Sequence, residues 1–434
     1  MIKRNSFYII SLGCAKNLVE SEKLSNALEK KGFYITDKLK EASLIIINTC
    51  GFIQEAKKES IQTILSVFEE KTKSAKVIVF GCMVQRYIKE MQEALPEIHL
   101  FLPVMPYEDV AERIAEAFPP VSVAVKRDDV KIQFTPSSYT YVKISDGCQN
   151  YCSYCAIPII RGALKSRTVE EIVSEIRSRL KDGVKEFNLI AQDITAYGTD
   201  IYGKPSLERL LKELLKIKGD YWIRLLYLYP TRISDELISM IAGEERIVKY
   251  LDIPLQHSED RVLKLMNRSY VKKDILSLIE KLRSKIPLLF LRTSFIVGFP
   301  SETEEEFLQL AEFIKKVGFE HLGVFEYSPE DDTKAKTLTP KIPAKIKSKR
   351  RKTLMAIQSQ IAFQKNKGLV GKAFKGIVEY PVDEFGALWA GRIYSQAPEV
   401  DGVTYIANYS PEKAGFVQLK IKDTKDYDLI AEVV

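Results

Sequence analysis

Residues 139–158 read YTYVKISDGCQNYCSYCAIP. The stretch opens with the aromatic and β-branched residues of a strand. It then places Cys148, Cys152 and Cys155 within eight residues as C-x3-C-x2-C, with Tyr154 in the last gap. No fourth Cys follows nearby. Iron–sulfur clusters are normally held by four thiolates. Three thiolates can hold three irons of a cubane and leave the fourth open to a small molecule, which suggests chemistry rather than electron storage. The alternatives are a zinc site, which usually totals four ligands, or buried thiols.

Downstream, strand patterns recur at Glu186–Ala191, Trp222–Tyr227, Tyr250–Leu255, Leu289–Val297 and His321–Tyr327, with helices such as Val169–Lys181, Ser206–Lys216 and Glu304–Lys316 between them. Counting Tyr139–Ser145, these make six β/α units in roughly 190 residues, where a closed eight-unit barrel takes about 250. An open, partial barrel is expected, with its active site at the carboxyl ends of the strands, which is where the cysteine trio falls. Gly298, Phe299 and Pro300, in the GFPSE segment that leaves one strand and opens a helix, are candidate cofactor contacts. Ser301 with Glu304 matches a capping box, and free amides at a helix start suit an adenine or ribose. His257, in PLQH at another strand end, is either a structural histidine or a site residue, whereas His99 and His321 read as structural. Pro343–Lys367 reads as one helix whose basic residues Lys345–Lys352 form a solvated face or, alternatively, a nucleic-acid contact. Short strands at Phe374–Tyr380, Leu388–Ile393, Gly402–Ile406 and Phe416–Ile421 then indicate a small β-barrel.

Upstream, strands Phe7–Leu12, Ser43–Asn48 and Lys76–Phe80 alternate with helices Asn17–Lys31, Ala56–Glu70 and Val84–Leu95, a parallel α/β sheet. The second helix is read with Ile61, Ile64, Leu65 and Phe68 on one face. Cys14, Cys50 and Cys82 each lie just past a strand, at the edge where open α/β sheets bind ligands. Each adjoins a glycine (Gly13, Gly51, Gly81), which lets backbone approach a bulky group. Free Cys is often just a small buried hydrophobe, but three in equivalent places indicate a second three-Cys cluster. Phe118–Ser138 reads as a linker.

A chain of 434 residues carries a prior of about three domains. Six Cys are too few for a disulfide scaffold and three His argue against histidine-rich metal chemistry. No apolar run approaches a membrane span, and the N-terminal stretch reads as a strand rather than a signal peptide, so a cytoplasmic protein is expected. The net charge is +7, yet Gly368–Val434 holds 7 Lys/Arg against 10 Asp/Glu, a net of −3 that leaves +10 for the rest.

Taken together these motifs resemble the methylthiotransferase family of radical S-adenosylmethionine enzymes over almost the whole chain. SLGCAKNLVESE, NTCGF and FGCMVQRY resemble its auxiliary-cluster domain (1–120), YVKISDGCQNYCSYCAIP the start of its radical core (134–366), and the terminal strands its TRAM domain (367–434). The resemblance implies two 4Fe–4S clusters, one on Cys148, Cys152 and Cys155 and one on Cys14, Cys50 and Cys82, with S-adenosylmethionine as cofactor. It also implies two substrate classes, tRNA adenosine and an aspartate of a small-subunit ribosomal protein. SLGCAKNLVESE, LIAQDITAYGTD (189–200) and QAPEVDG (396–402) resemble the ribosomal-protein branch. The partners expected are that protein or the assembled small subunit, an electron donor and a sulfur source. Ser301 stands where the family usually has Gly; as a capping residue it is expected to matter little. A terminal barrel of net −3 suits a basic protein better than RNA. A zinc-stabilised RNA-binding protein is the reading from another class.

Overall fold

The computed structural model describes residues 5–121, 132–383, 388–407, 409 and 415–434. Residues 122–131 of the expected linker lie outside them.

The N-terminal unit is a five-stranded parallel sheet in the order β2-β1-β3-β4-β5. Its strands are β1 (Ser6–Ser11), β2 (Tyr34–Ile35), β3 (Leu44–Thr49), β4 (Lys76–Gly81) and β5 (Leu100–Leu102). β3 is buried along its whole length, which is why LIIINT reads as a continuous apolar run. Helix Gln54–Glu70 buries Ser60, Ile64 and Val67, whereas Ile61 and Leu65 are exposed. The expected apolar face is therefore turned, because Ser60 is drawn inward to bond the Cys50 backbone.

The central unit is six parallel strands in sequential order, β13-β12-β11-β10-β9-β6. These are β6 (Tyr139–Lys143), β9 (Glu186–Ile190), β10 (Trp222–Leu225), β11 (Ile247–Asp252), β12 (Phe290–Val297) and β13 (His321–Glu326). Between β6 and β9 a two-stranded ladder, β7 (Ser145–Asp146) with β8 (Lys165–Ser166), closes the cysteine loop at its base. The sheet curls without closing, as expected of six units. β11 begins three residues before the expected Tyr250, because Ile247 already pairs with Ile223 of β10, and ends at Asp252, short of the expected Leu255. The helix expected from a Ser301/Glu304 box is instead capped by Thr303 with Glu306, both reciprocal bonds being made. Helix Ala344–Lys367 is one continuous element that docks Leu354 into the core of the barrel. Its Lys345, Lys349, Arg351 and Lys352 are exposed, so the solvated-face reading holds for them.

The C-terminal unit is a closed five-stranded barrel, β14-β15-β16-β18-β17. It comprises β14 (Ala373–Pro381), β15 (Leu388–Ile393), β16 (Thr404–Ala407), β17 (Gly415–Lys425) and β18 (Asp428–Val433). β18 was not anticipated; it completes the closure by pairing both β17 and β16.

The three units are packed, not strung. One apolar cluster joins the inward side chains of the central barrel (Tyr139, Trp222, Tyr250, Phe290) to Phe374, Ile377 and Ile393 of the terminal barrel. The β15–β16 loop enters the central lumen from the amino ends of the strands. There Glu399 accepts from Tyr139 Oη at 2.8 Å and from Tyr141 Oη at 3.3 Å. Asp401 accepts from Tyr250 Oη at 2.7 Å and Arg292 Nη1 at 2.5 Å. Beside it, Arg224 and Arg392 share the two oxygens of Glu186 at 2.6 and 2.7 Å, with all three side chains at most 4% exposed. Among the described residues no helix is long and apolar enough to cross a membrane.

Candidate metal centres

At the opposite end of the lumen, the carboxyl ends of the strands, the N-terminal unit sits over the barrel, and its Cys82 meets the segment that follows Cys155. Adjacent strands β1, β3 and β4 deliver Cys14, Cys50 and Cys82. Buried polar side chains fix the loops: Asn48 donates to Asn17 O at 2.9 Å, Asn17 to Leu12 O at 2.8 Å, and Ser60 to Cys50 O at 3.1 Å. The approach leaves no room for side chains. A Cβ on Gly13 would stand 2.7 Å from Cys50 Cβ and one on Gly51 2.8 Å from Met83 Cα, so the glycines serve the closeness of the loops.

The second trio occupies the loop between β7 and β8. Gly147 takes φ +71° and a Cβ there would lie 2.0 Å from Ala163 O. Ser153 is pinned by bonds to Met266 O and Leu265 O, Asn150 donates to Asp193 at 2.8 Å, and Arg268 Nη1 donates to Cys152 Sγ at 3.4 Å. Tyr154 packs with Met266, Phe299 and Tyr327, which explains the aromatic in the last gap: it is the wedge that seats the loop.

All six cysteines are free thiols. Burial pushes the Cys50 and Cys155 thiols up to about 12 and raises Cys82 and Cys148 as well. Reactive cysteines need the opposite shift, so these are not free nucleophiles; a bound metal centre would deprotonate them outright. Among the described residues no three His, Cys, Asp or Glu side chains converge tightly enough for a single ion. Zinc requires thiolates at about 2.3 Å from one point, whereas the thiolates of a cluster bind different irons and stand further apart. Two sets of three thiols, neither with a fourth Cys or a His beside it in the sequence, fit clusters with an open iron better than a four-ligand zinc site.

Two links join the trios. The short helix Ile157–Arg161 follows Cys155 directly, and Cys82 packs against its Ile160 and the preceding Ala156. Arg161, 3% exposed, reaches Cys82 Sγ at 3.1 Å, Asn17 Oδ1 at 3.1 Å, and both Glu20 and Asp146. Lys143 completes this network, at 2.6 Å from Glu20 and 2.9 Å from Asp146. Desolvation opposes a charged Asp146, but Lys143 and Arg161 outweigh it and hold the carboxyl well below its usual range. On the far side Arg86 ties Gly51 O to Glu330, each at 2.9 Å.

Gly298 and Phe299 do not offer free amides. Both donate to the buried Glu302 carboxylate, Phe299 is fully buried, and Lys347 covers Gly298. Only Pro300 borders open space, a groove with Tyr327, Pro329 and Ile342. Ser301 takes φ +65°, where a glycine would be unstrained, so it is not the indifferent capping residue expected. His257 is structural: fully buried, it accepts from Glu259 N at 3.0 Å and lies 3.5 Å from Glu302. His321 bonds Ser395 O and faces Asp401, and His99 accepts from Val77 N. Sequence reading missed Lys16, Arg161, Asp252 and Arg268. Only the neighbourhood of Lys16 and Arg161 to the cysteines could have singled them out.

A partial parallel barrel with a three-thiol loop after its first strand defines a radical S-adenosylmethionine enzyme. Family models agree along the chain: residues 142–314 match the radical SAM superfamily, 6–103 the uncharacterized protein family UPF0004, and 370–434 the TRAM domain. Among solved structures, the radical S-adenosylmethionine methyltransferase TsrM from Kitasatospora setae superposes with TM-score 0.55 at 15% identity, covering 74% of this chain and 73% of that one. The cobalamin-dependent radical enzyme OxsB gives TM-score 0.51 at 11% identity over 81% and 56%; both likenesses concern the fold alone. The ribosomal protein uS12 methylthiotransferase RimO of Thermodesulfovibrio yellowstonii is 46% identical over 432 residues, 99% of this chain and 100% of its own. That of Acetivibrio thermocellus is 44% identical over 443 residues, 98% of each. The chain belongs to the RimO family of radical S-adenosylmethionine methylthiotransferases, enzymes that use 4Fe–4S clusters and S-adenosylmethionine.

Proposed function

We propose that the chain methylthiolates the β-carbon of an aspartate in ribosomal protein uS12, in the cytoplasm, as a free protein or within the small subunit. The carrying observation is that two cysteine trios lie at the same end of the barrel, with Arg161, at the end of the short helix that follows Cys155, bonded to Cys82 of the other trio. Cys148, Cys152 and Cys155 would hold the cluster that opens S-adenosylmethionine, and Cys14, Cys50 and Cys82 the cluster that carries sulfur. When bound, these groups supply an electron, a 5′-deoxyadenosyl radical able to take hydrogen from an unactivated carbon, the sulfur and the methyl group.

The protein's own residues do the placing. Glu20, Lys143, Asp146 and Arg161 clamp the sulfur side to the radical side, and Arg268 holds the Cys152 end of the radical loop. Pro300, with Gly298 and Phe299 behind it, remains our candidate for one wall of the S-adenosylmethionine site, on its strand-end position and not on free amides. We assign 1–120, 134–366 and 367–434 to sulfur carriage, radical formation and the closing of the barrel floor. The electron donor and the sulfur source are separate partners in this scheme.

Anaerobic reconstitution should give about eight irons per chain, two four-iron clusters, and mass spectrometry of uS12 from cells lacking the gene should show the loss of a methylthio group. Zinc without iron, or methylthiolated tRNA with unmodified uS12, would refute the proposal.

A further inference from the structure

Lys16 lies two residues past Cys14, in the first turn of helix Ala15–Lys30. Its ammonium crosses to the central unit. It donates to Ala191 O at 3.3 Å and stands 3.9 Å from the centroid of the Tyr227 ring. Ala191 and Tyr227 follow the carboxyl ends of β9 and β10, so the charge hangs over the reaction face of the barrel. An ammonium carries three donors, and here a long bond to one carbonyl and an aromatic face are what it has. Among the described residues no carboxylate lies within 4.0 Å of it.

The neighbouring cations are differently placed. Lys143 and Arg161 share Glu20 and Asp146, Arg232 pairs with Asp193 and Arg292 with Asp401. Two acids, Asp146 and Asp252, face Lys16 from neighbouring elements without pairing with it, and Asp252 Oδ1 is buried with no hydrogen-bond partner. Asp146 holds Lys143, Arg161 and Gln192; Asp252 takes the Tyr227 amide at 3.3 Å and lies 3.8 Å from Arg292. A half-buried ammonium with donors to spare, at the carboxyl end of the barrel strands, can take one more anion.

We infer that Lys16 is the positioning residue for the side-chain carboxylate of the target aspartate. This rests on the function proposed above. The chemistry is apt: the β-carbon is bonded directly to the carboxylate carbon, so a cation two residues from a cluster ligand holds the reacting carbon beside the sulfur. An aspartate would bring the anion that this cation can pair, whereas an uncharged nucleobase would offer it only a hydrogen-bond acceptor.

The test is a double-variant cycle with reconstituted holoenzyme and purified uS12, read as binding affinity and as KM against kcat. Lys16→Gln should weaken binding of uS12 roughly 10- to 150-fold, the weight of one hydrogen bond to a charged group. On uS12 whose target Asp is replaced by Asn, the same substitution should change binding less than about threefold, because the charge it served is gone. Lys16→Arg should recover most of the affinity. Equal losses on the Asp and Asn substrates, or a lower iron content in Lys16→Gln, would make Lys16 structural and overturn the inference. The wild-type arm separates the two claims: if wild-type enzyme neither binds nor modifies uS12, the proposed function itself fails.

Discussion

Glu186→Gln should loosen the terminal barrel from the central one. Glu186 is fully buried at the start of β9, with Arg224 Nε at 2.6 Å on one oxygen and Arg392 Nη2 at 2.7 Å on the other. Arg392 also takes Glu379 through two bonds of 2.8 and 3.1 Å, so two acids and two bases balance inside the protein. The amide keeps the shape but removes one negative charge and turns an NH2 group toward a guanidinium. Removing one member of a buried ion pair costs about 3–5 kcal/mol. Arg224 keeps Tyr394 O at 2.7 Å and the face of Tyr250, and Arg392 keeps Glu379, which places the loss near the lower end, about 3 kcal/mol. For a unit of 150–250 residues that is a fall of about 6–12 °C in the melting midpoint. Calorimetry at pH 7 reads it, and limited proteolysis after residue 367 should quicken in parallel. Acid titration gives a second signature. Although desolvation opposes it, Arg224 and Arg392 depress the Glu186 carboxyl below its ordinary value. Its stabilisation is therefore complete above about pH 4.5 and is lost as the pH falls further; the Gln variant should lack that component. A midpoint within 1 °C of wild type, with unchanged proteolysis, would refute the view that this cluster couples the two barrels.

Other outcomes follow from the same geometry. Arg161→Gln leaves Glu20 and Asp146 with one cation, Lys143, in place of two, so hydrogen exchange in helix Ala15–Lys30 should rise while exchange in the β14–β18 barrel stays unchanged. Ser301→Gly should raise the thermal midpoint, since relief of about 1–2 kcal/mol of left-handed strain exceeds the roughly 0.4–1 kcal/mol of added chain entropy. Ser301→Ala should not raise it. Burial lifts the Asp252 carboxyl from 3.8 to about 6, so the folded state holds its proton longer than the unfolded chain. Stability from this group is present below about pH 4 and declines as the pH rises to 6, by roughly 3 kcal/mol. Asp252→Asn should flatten that part of the pH–stability curve and raise stability at pH 7.

The cysteines were legible because each trio advertises itself by spacing or by strand-end position, and the strands because buried parallel strands are unbroken apolar runs. What stayed hidden was set by tertiary contact. Ile61 and Leu65 satisfy a helical stripe, but Ser60 won the inner face through the Cys50 backbone. Thr303 and not Ser301 caps its helix because Ser301 is held in a left-handed turn, its amide on Pro340 O. The acidity of the terminal barrel reads as a surface property, yet Glu379 and Asp401 are 7% and 1% exposed and serve internal pairs, so the charge it presents outward is less negative than its composition. Lys16 and Arg161 carry no periodic signal at all; their roles exist only once two units meet.

The loop carrying Glu399 and Asp401 also imposes an order of events during synthesis. The central barrel's last strand ends at Glu326 and its floor is finished only when Asp401 arrives, 75 residues later (401 − 326). At about 5–20 residues per second that delay is roughly 4–15 s. Until then Glu186, Arg224, Tyr250 and Arg292 lack the partners that the terminal barrel brings them. Premature termination within the last domain should therefore leave buried charges of the central barrel unpaired, and the shortened chain should be less stable than the full one.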